Sequence, residues 1–136
     1  MNATLESSRS EPRPCSNSRS CAVVATGSGQ TSAIVRRLLN RLGWHAKEAG
    51  NAAEARRQIL AGHSRTVILA TDLIDESGWL TCAKIKGLAR RVDVYLLGPD
   101  LPRNRRLARF VGATAFLSDP AELGEWLQPV ACSTMN

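Results

Sequence analysis

Three features of this 136-residue sequence predict a single α/β domain built on a parallel sheet. Five short apolar runs recur along it, helix-period patterns fill the gaps between them, and glycine or proline punctuates the junctions. The runs are continuous rather than alternating, as expected of strands covered by helices on both faces.

The first run, Ala22–Ala25, leads into a helical stretch in which Ile34, Leu38 and Leu42 recur at i, i+4 and i+8 and form its expected apolar face. Gly43 ends that helix, and a weaker strand follows over 44–48. Asn51 with Glu54 three residues on resembles a capping box and starts a helix through Ala55 and Ile59, which Gly62 closes. "TVILA" (66–70) is the second strong strand. Ser77 and Gly78 open a helix that carries Cys82, Ile85 and Ala89 inward. "VDVYLL" (92–97) is the next strand, stopped by Gly98-Pro99. Leu107, Phe110 and Val111 mark another helix, and "ATAFL" (113–117) the last strand. Pro120 suits the first turn of a final helix with Leu123, Leu127 and Val130 inside.

Composition narrows the function classes. The formal charge is +6, and fifteen of the 18 basic residues are Arg, which suits carboxylate or phosphate partners better than Lys. Cys15, Cys21, Cys82 and Cys132 show neither C-x-x-C spacing nor a nearby His, so neither a disulfide framework nor a zinc site is expected. Cys21 and Cys82 read instead as buried free thiols in a reducing, cytoplasmic protein. No run of 18 apolar residues is present, so no membrane span is expected. Residues 1–20 lack the apolar stretch of a signal peptide and read as a disordered polar tail, with a short tail over 132–136.

The stretch "VVATGSGQTS" (23–32) lies where a phosphate loop would follow the first strand. As a Walker A loop it fails, because no Lys follows the glycines. As a dinucleotide fingerprint it has Gly27 and Gly29, but Ser32 replaces the third glycine. Glu48 lies near the distance expected of a ribose-binding acid, so a small-ligand or nucleotide-sensing role for the Gly27–Gly29 loop stays open as an alternative. The simpler reading is a tight turn. His45 and His63 have no partner in sequence, and no nucleophile–base pair is visible, so the chain does not read as an enzyme.

"RLGWHAKEAGNAAEA" (41–55), "DLIDESGWLTCAKIK" (72–86) and "FVGATAFLSDP" (110–120) resemble a response-regulator receiver domain, over residues 21–131. The resemblance implies a flavodoxin-like fold with strand order 2-1-3-4-5, and a site at the carboxyl ends of strands one and three. It also implies a chemistry: two acids after strand one hold Mg²⁺, an Asp ending strand three accepts the phosphoryl group, and a Thr or Ser and a Lys grip it.

Carried over residue by residue, every one of these groups is missing. The acidic pair falls among Ala25, Thr26 and Gly27, and the phosphoacceptor falls on Ala70. The hydroxyl position falls on Leu97 or Gly98, and the Lys position on Asp119. A unit charge about 4 Å from another is worth ~4 kcal/mol at an effective dielectric near 20, so an Asp there reverses a contact with phosphate. No cofactor and no metal are implied. Asp72, near Asp75 and Glu76, is the one substitute acceptor available; the three acids otherwise read as a solvated turn.

Binding then remains as the function: a stand-alone pseudo-receiver acting in signal transduction by protein–protein contact, independent of phosphorylation. In receivers the fourth helix, fifth strand and fifth helix commonly make such contacts. Here the fourth-helix segment carries Arg103, Arg105, Arg106 and Arg109, and Phe116 holds the family's aromatic switch position. Four like charges call for neutralisation, by Glu122 and Glu125 of the same copy or of a second one. An acidic protein partner or a homodimer through this face is expected. Nucleic acid is disfavoured, because no aromatics interleave with the arginines.

Overall fold

The computed structural model describes residues 20–62 and 64–129. The residues 1–19, His63 and 130–136, and with them the expectations for Cys15, Cys132, Val130 and the two tails, lie outside it.

Elements alternate strictly. They are β1 (Cys21–Ala25), α1 (Gly29–Arg41), β2 (His45–Glu48), α2 (Ala52–Leu60), β3 (Thr66–Ala70) and α3 (Gly78–Leu88). Then follow β4 (Asp93–Leu97), α4 (Pro102–Val111), β5 (Ala115–Leu117), a 3₁₀ turn (Pro120–Glu122) and the short α5 (Leu123–Trp126). All strand pairs are parallel and the order is β2-β1-β3-β4-β5. This is the flavodoxin-like arrangement, strand order 2-1-3-4-5, that the resemblance implies. The register sets Ala70 of β3 beside Leu97 of β4, both at the carboxyl end of the sheet.

Alternation along the strands divides the core in two. Val23, Val67, Leu69, Val94 and Leu96 pack beneath α2, α3 and α4 through Ala55, Ile59, Cys82, Ile85 and Ala108. Val24, Ile68, Tyr95 and Leu97 face the other way, onto Val35 and Leu39 of α1 and onto Leu123 and Leu127. The Trp44 indole N–H donates to the Gln128 carbonyl at 2.8 Å and ties the segment after Leu127 to this second layer. Cys21 and Cys82 are both buried; Cys82 is a free thiol, as expected, and burial pushes it up to about 11.

Strand boundaries move by one or two residues from the sequence reading, and three helices differ from it in substance. In α1 the buried row is Ser32, Val35 and Leu39, while Ile34 is 43% exposed and Leu38 and Leu42 are half-buried. A serine can lie inside because its hydroxyl pairs with that of Thr26 at 2.7 Å. In α4 the buried residues are Asn104 and Ala108, not Leu107 and Phe110; Phe110 is 87% exposed. The Asn104 amide donates to the Pro99 carbonyl at 3.0 Å, which satisfies a polar group that periodicity alone assigns to water. The final helix is also shorter than expected, a 3₁₀ turn followed by four residues, although Leu123 and Leu127 are buried as read. At α2, Asn51 caps the Glu54 amide at 2.8 Å, but the Glu54 carboxylate reaches Gly50 instead of closing the box on Asn51.

Candidate functional site

Gly78 positions the cleft. A Cβ there would collide with the Ala70 carbonyl, so the start of α3 lies directly against the end of β3. The Gly78 amide donates to the Thr71 carbonyl at 2.9 Å, and the Thr71 amide donates to the Leu97 carbonyl at 2.9 Å. Main-chain bonds therefore fix the floor of the site. Across from it, the turn after β1 is held by Thr26, whose hydroxyl bonds both Ser32 and the Ser28 carbonyl. Gly27 takes φ of 73°, a conformation costly for residues with a Cβ. Ser28 then caps α1 at the Thr31 amide.

These turns enclose an open cleft of about 530 Å³. Thr26, Gly27, Ala70, Leu97 and Gly98 all line it, so five of the seven positions marked in the sequence come together. The other two do not. Ala25 is fully buried in the core beneath. Asp119 lies between Ser118 and Pro120, which line the cleft, but its carboxylate accepts the Ala121 amide at 3.0 Å. Glu122 answers by accepting the Ser118 and Asp119 amides at 3.0 and 3.2 Å. Asp119 thus caps the turn, its carboxylate engaged at the Ala121 amide and not among the groups that line the cleft.

The hydroxyl position shows a further substitution. A Cβ on Gly98 would lie 2.7 Å from the Thr71 hydroxyl and 3.4 Å from the Phe116 ring. Thr71, which follows Ala70, fills the space that a side chain on Gly98 would need. No sequence signal marked it, because the two residues are 27 positions apart.

The acidic loop 72–76 is not simply a solvated turn. Asp75 accepts the Ala52 and Ala53 amides, both at 3.0 Å, and caps α2 from outside it. Those two amides hold its carboxyl below the usual range. Glu76 is shielded, and burial alone would raise its pKa. Hydrogen bonds from Lys84 (2.7 Å) and Thr81 (2.6 Å), with the Lys84 and Arg56 charges, outweigh that and hold it low. Asp72 alone is exposed on the cleft without a side-chain partner, in a backbone bridge with Ser77. Among the described residues no group of three or more His, Cys, Asp or Glu is placed to hold a metal ion.

Gly27, Ser28, Gly29 and Glu48 do meet, in a separate hollow of about 230 Å³. Glu48 pairs there with Arg36 at 3.7 Å, and Ser32, in the third-glycine position, is committed to Thr26. On the far side Phe116 is half-buried, stacked on Trp79 and covered by Arg105. Arg105 is neutralised chiefly by Asp100 at 2.9 Å, with a weaker pull from Glu122; Asp100 lies just before the arginine run and was overlooked in sequence. Arg103, Arg106 and Arg109 are exposed and pair with no acid among the described residues.

Solved structures similar to this chain include receiver domains. Chemotaxis response regulator CheY4 of Vibrio cholerae matches with a TM-score of 0.71 at 16% identity, over 80% of this chain and 96% of that one. A CheY-like receiver domain protein from Methanospirillum hungatei gives 0.71 at 18%, over 80% and 90%. The BeF3-activated N-terminal receiver domain of Klebsiella pneumoniae RstA gives 0.71 at 19%, over 79% and 94%. At such identities the likeness is one of fold: the chain has the CheY-like receiver architecture. No protein-family model matches the sequence, and no curated protein matches it either. Among the described residues no helix is long and apolar enough to cross a membrane.

Proposed function

We propose that this chain is a pseudo-receiver: a receiver-like domain over residues 21–131 that serves signal transduction by binding an acidic protein partner, with no phosphorylation of its own. The observation that carries this reading is Ala70. A methyl group stands at the carboxyl end of β3, on the cleft, where the receiver resemblance implies the phosphoaccepting aspartate. Thr26, Gly27, Leu97 and Gly98 around it bring no carboxylate to replace the hydration of Mg²⁺. Arg103, Arg106 and Arg109 of α4, which pair with no acid among the described residues, support the acidic partner, since guanidinium groups favour bidentate carboxylate contacts.

Incubation with Mg²⁺ and acetyl phosphate, followed by intact mass measurement, is expected to leave the chain unmodified. A stable gain of one phosphoryl group would reject the reading. Asp72 supplies the second reading, because it is exposed on the same cleft. If a phosphoryl gain occurs and vanishes in Asp72→Asn, the domain is a phospho-receiver with a displaced acceptor. The partner surface is tested by affinity capture with the wild type against a chain carrying Arg103→Glu, Arg106→Glu and Arg109→Glu. Capture that survives all three changes places the contact elsewhere.

A further inference from the structure

Helix α3 is apolar on nearly every side, its two lysines aside, yet only part of it is covered. Cys82 and Ile85 point into the core, and Trp79 packs toward Phe116. Lys84 lies on the α2 flank, bound to the same Glu76 that Arg56 of α2 holds. What remains is an outer ridge of Leu80, Ala83 and Gly87, all exposed, with nothing within 4 Å of the place a Gly87 side chain would occupy. Leu88 is one turn beyond Lys84 and Leu60 one turn beyond Arg56, so both extend the ridge along the α2–α3 seam. Leu88 is 70% exposed. A helix apolar all round is normally buried on all sides.

We infer that this ridge is the contact for a second copy of the chain, packed with the two α3 helices antiparallel about a two-fold axis near Ala83. Two observations select that occupant. Leu80 and Gly87 are seven residues apart about this centre, so in an antiparallel pair each leucine meets the other copy's glycine, a large side chain over an open one. A two-fold contact requires this kind of self-complementarity. The charges follow the same symmetry. Asp72 and Asp75 are exposed in the loop entering α3, and Arg90 and Arg91 are exposed in the turn leaving it. An antiparallel pair sets the acidic end of each helix beside the basic end of the other; a parallel pair sets like beside like. This goes beyond the phosphorylation reading and does not depend on it, and it leaves the Arg105–Arg109 flank of α4 free.

Sedimentation velocity of the full chain over a wide concentration series tests it. The wild type is expected to show a reversible monomer–dimer equilibrium. Leu80→Ala weakens that equilibrium about tenfold or more, and Gly87→Arg abolishes it. The open space around Gly87 lets that variant fold, and an unchanged circular dichroism melt verifies it. In a chain with Cys15 and Cys132 changed to Ser, Ala83→Cys is expected to form an interchain disulfide on oxidation. A chain monomeric at every concentration overturns the inference. So does a dimer that withstands Gly87→Arg but dissolves with Arg106→Glu, which would move the contact to α4.

Discussion

Phe116 lies against Trp79 with ring centroids 5.9 Å apart and planes only 11° from parallel. The Arg105 guanidinium sits 5.7 Å from the centre of the same phenyl ring and is itself tied to Asp100. One ring thus joins β5 to α3 and α4. The ring is held by a stacked indole and by a cation whose counter-ion belongs to its own loop. Phe116→Leu keeps apolar bulk but removes the stack, and should lower stability by about 1–2 kcal/mol. Tryptophan emission should shift in the folded variant, and an unchanged spectrum would show that the stack does not persist in solution.

Glu76 should govern the acid limit of stability together with Asp75. Both carboxyls are held below their ordinary values, so the folded chain binds fewer protons there than the unfolded chain. For Glu76 the stabilisation is complete above its ordinary value of 4.5 and is lost as pH falls through the lower folded value. Glu76→Gln should cost about 1–3 kcal/mol at neutral pH through loss of charge-assisted bonds. The difference in melting temperature from the wild type should close on acidification; a difference independent of pH would mean that packing, not charge, is what Glu76 provides.

Gly78→Ala should be among the most damaging single-methyl changes in the chain. The added Cβ meets the Ala70 carbonyl, which belongs to the central sheet and cannot swing away. Overpacking of this kind costs about 1–3 kcal/mol, with the rigid partner pointing to the upper end. Gly87→Ala is the control, because its Cβ meets nothing. It should stabilise the monomer by up to about 1 kcal/mol through helix propensity. Denaturant midpoints of the two variants should move in opposite directions.

Ser32→Ala removes one member of a buried hydroxyl pair and should cost about 1 kcal/mol, because Thr26 keeps its second bond to the Ser28 carbonyl. Thr26→Val removes these two bonds and the one its hydroxyl accepts from the Ser28 amide at 3.3 Å, and frees the turn after β1. It should cost more, and hydrogen exchange at the Ser28 amide should quicken.

Strand order and the pocket positions Thr26, Gly27, Ala70, Leu97 and Gly98 were legible through the receiver resemblance, and these five gather around one cleft because parallel topology brings strand ends together whatever side chains they bear. The inner faces of α1 and α4 did not follow. Apolar periodicity ranks leucine above serine or asparagine, while Ser32 and Asn104 are admitted inside by hydrogen bonds to Thr26 and Pro99 that periodicity cannot register. The role of Asp75 was equally hidden, since the amides it caps lie more than twenty residues upstream. The capping role of Asp119 was hidden for a related reason: position in a motif gives the residue type, whereas the direction of its carboxylate depends on the amide of Ala121.

The close seating of Gly78 on the Ala70 carbonyl has a consequence for what shapes this corner of the cleft. Because backbone rather than side chains shapes that corner, the group carried at position 70 is interchangeable without rebuilding the walls around it. With a methyl group at position 70 the five-stranded architecture is whole. The shape of that end of the sheet is thus a property of the main chain, set before any side chain at the corner is chosen.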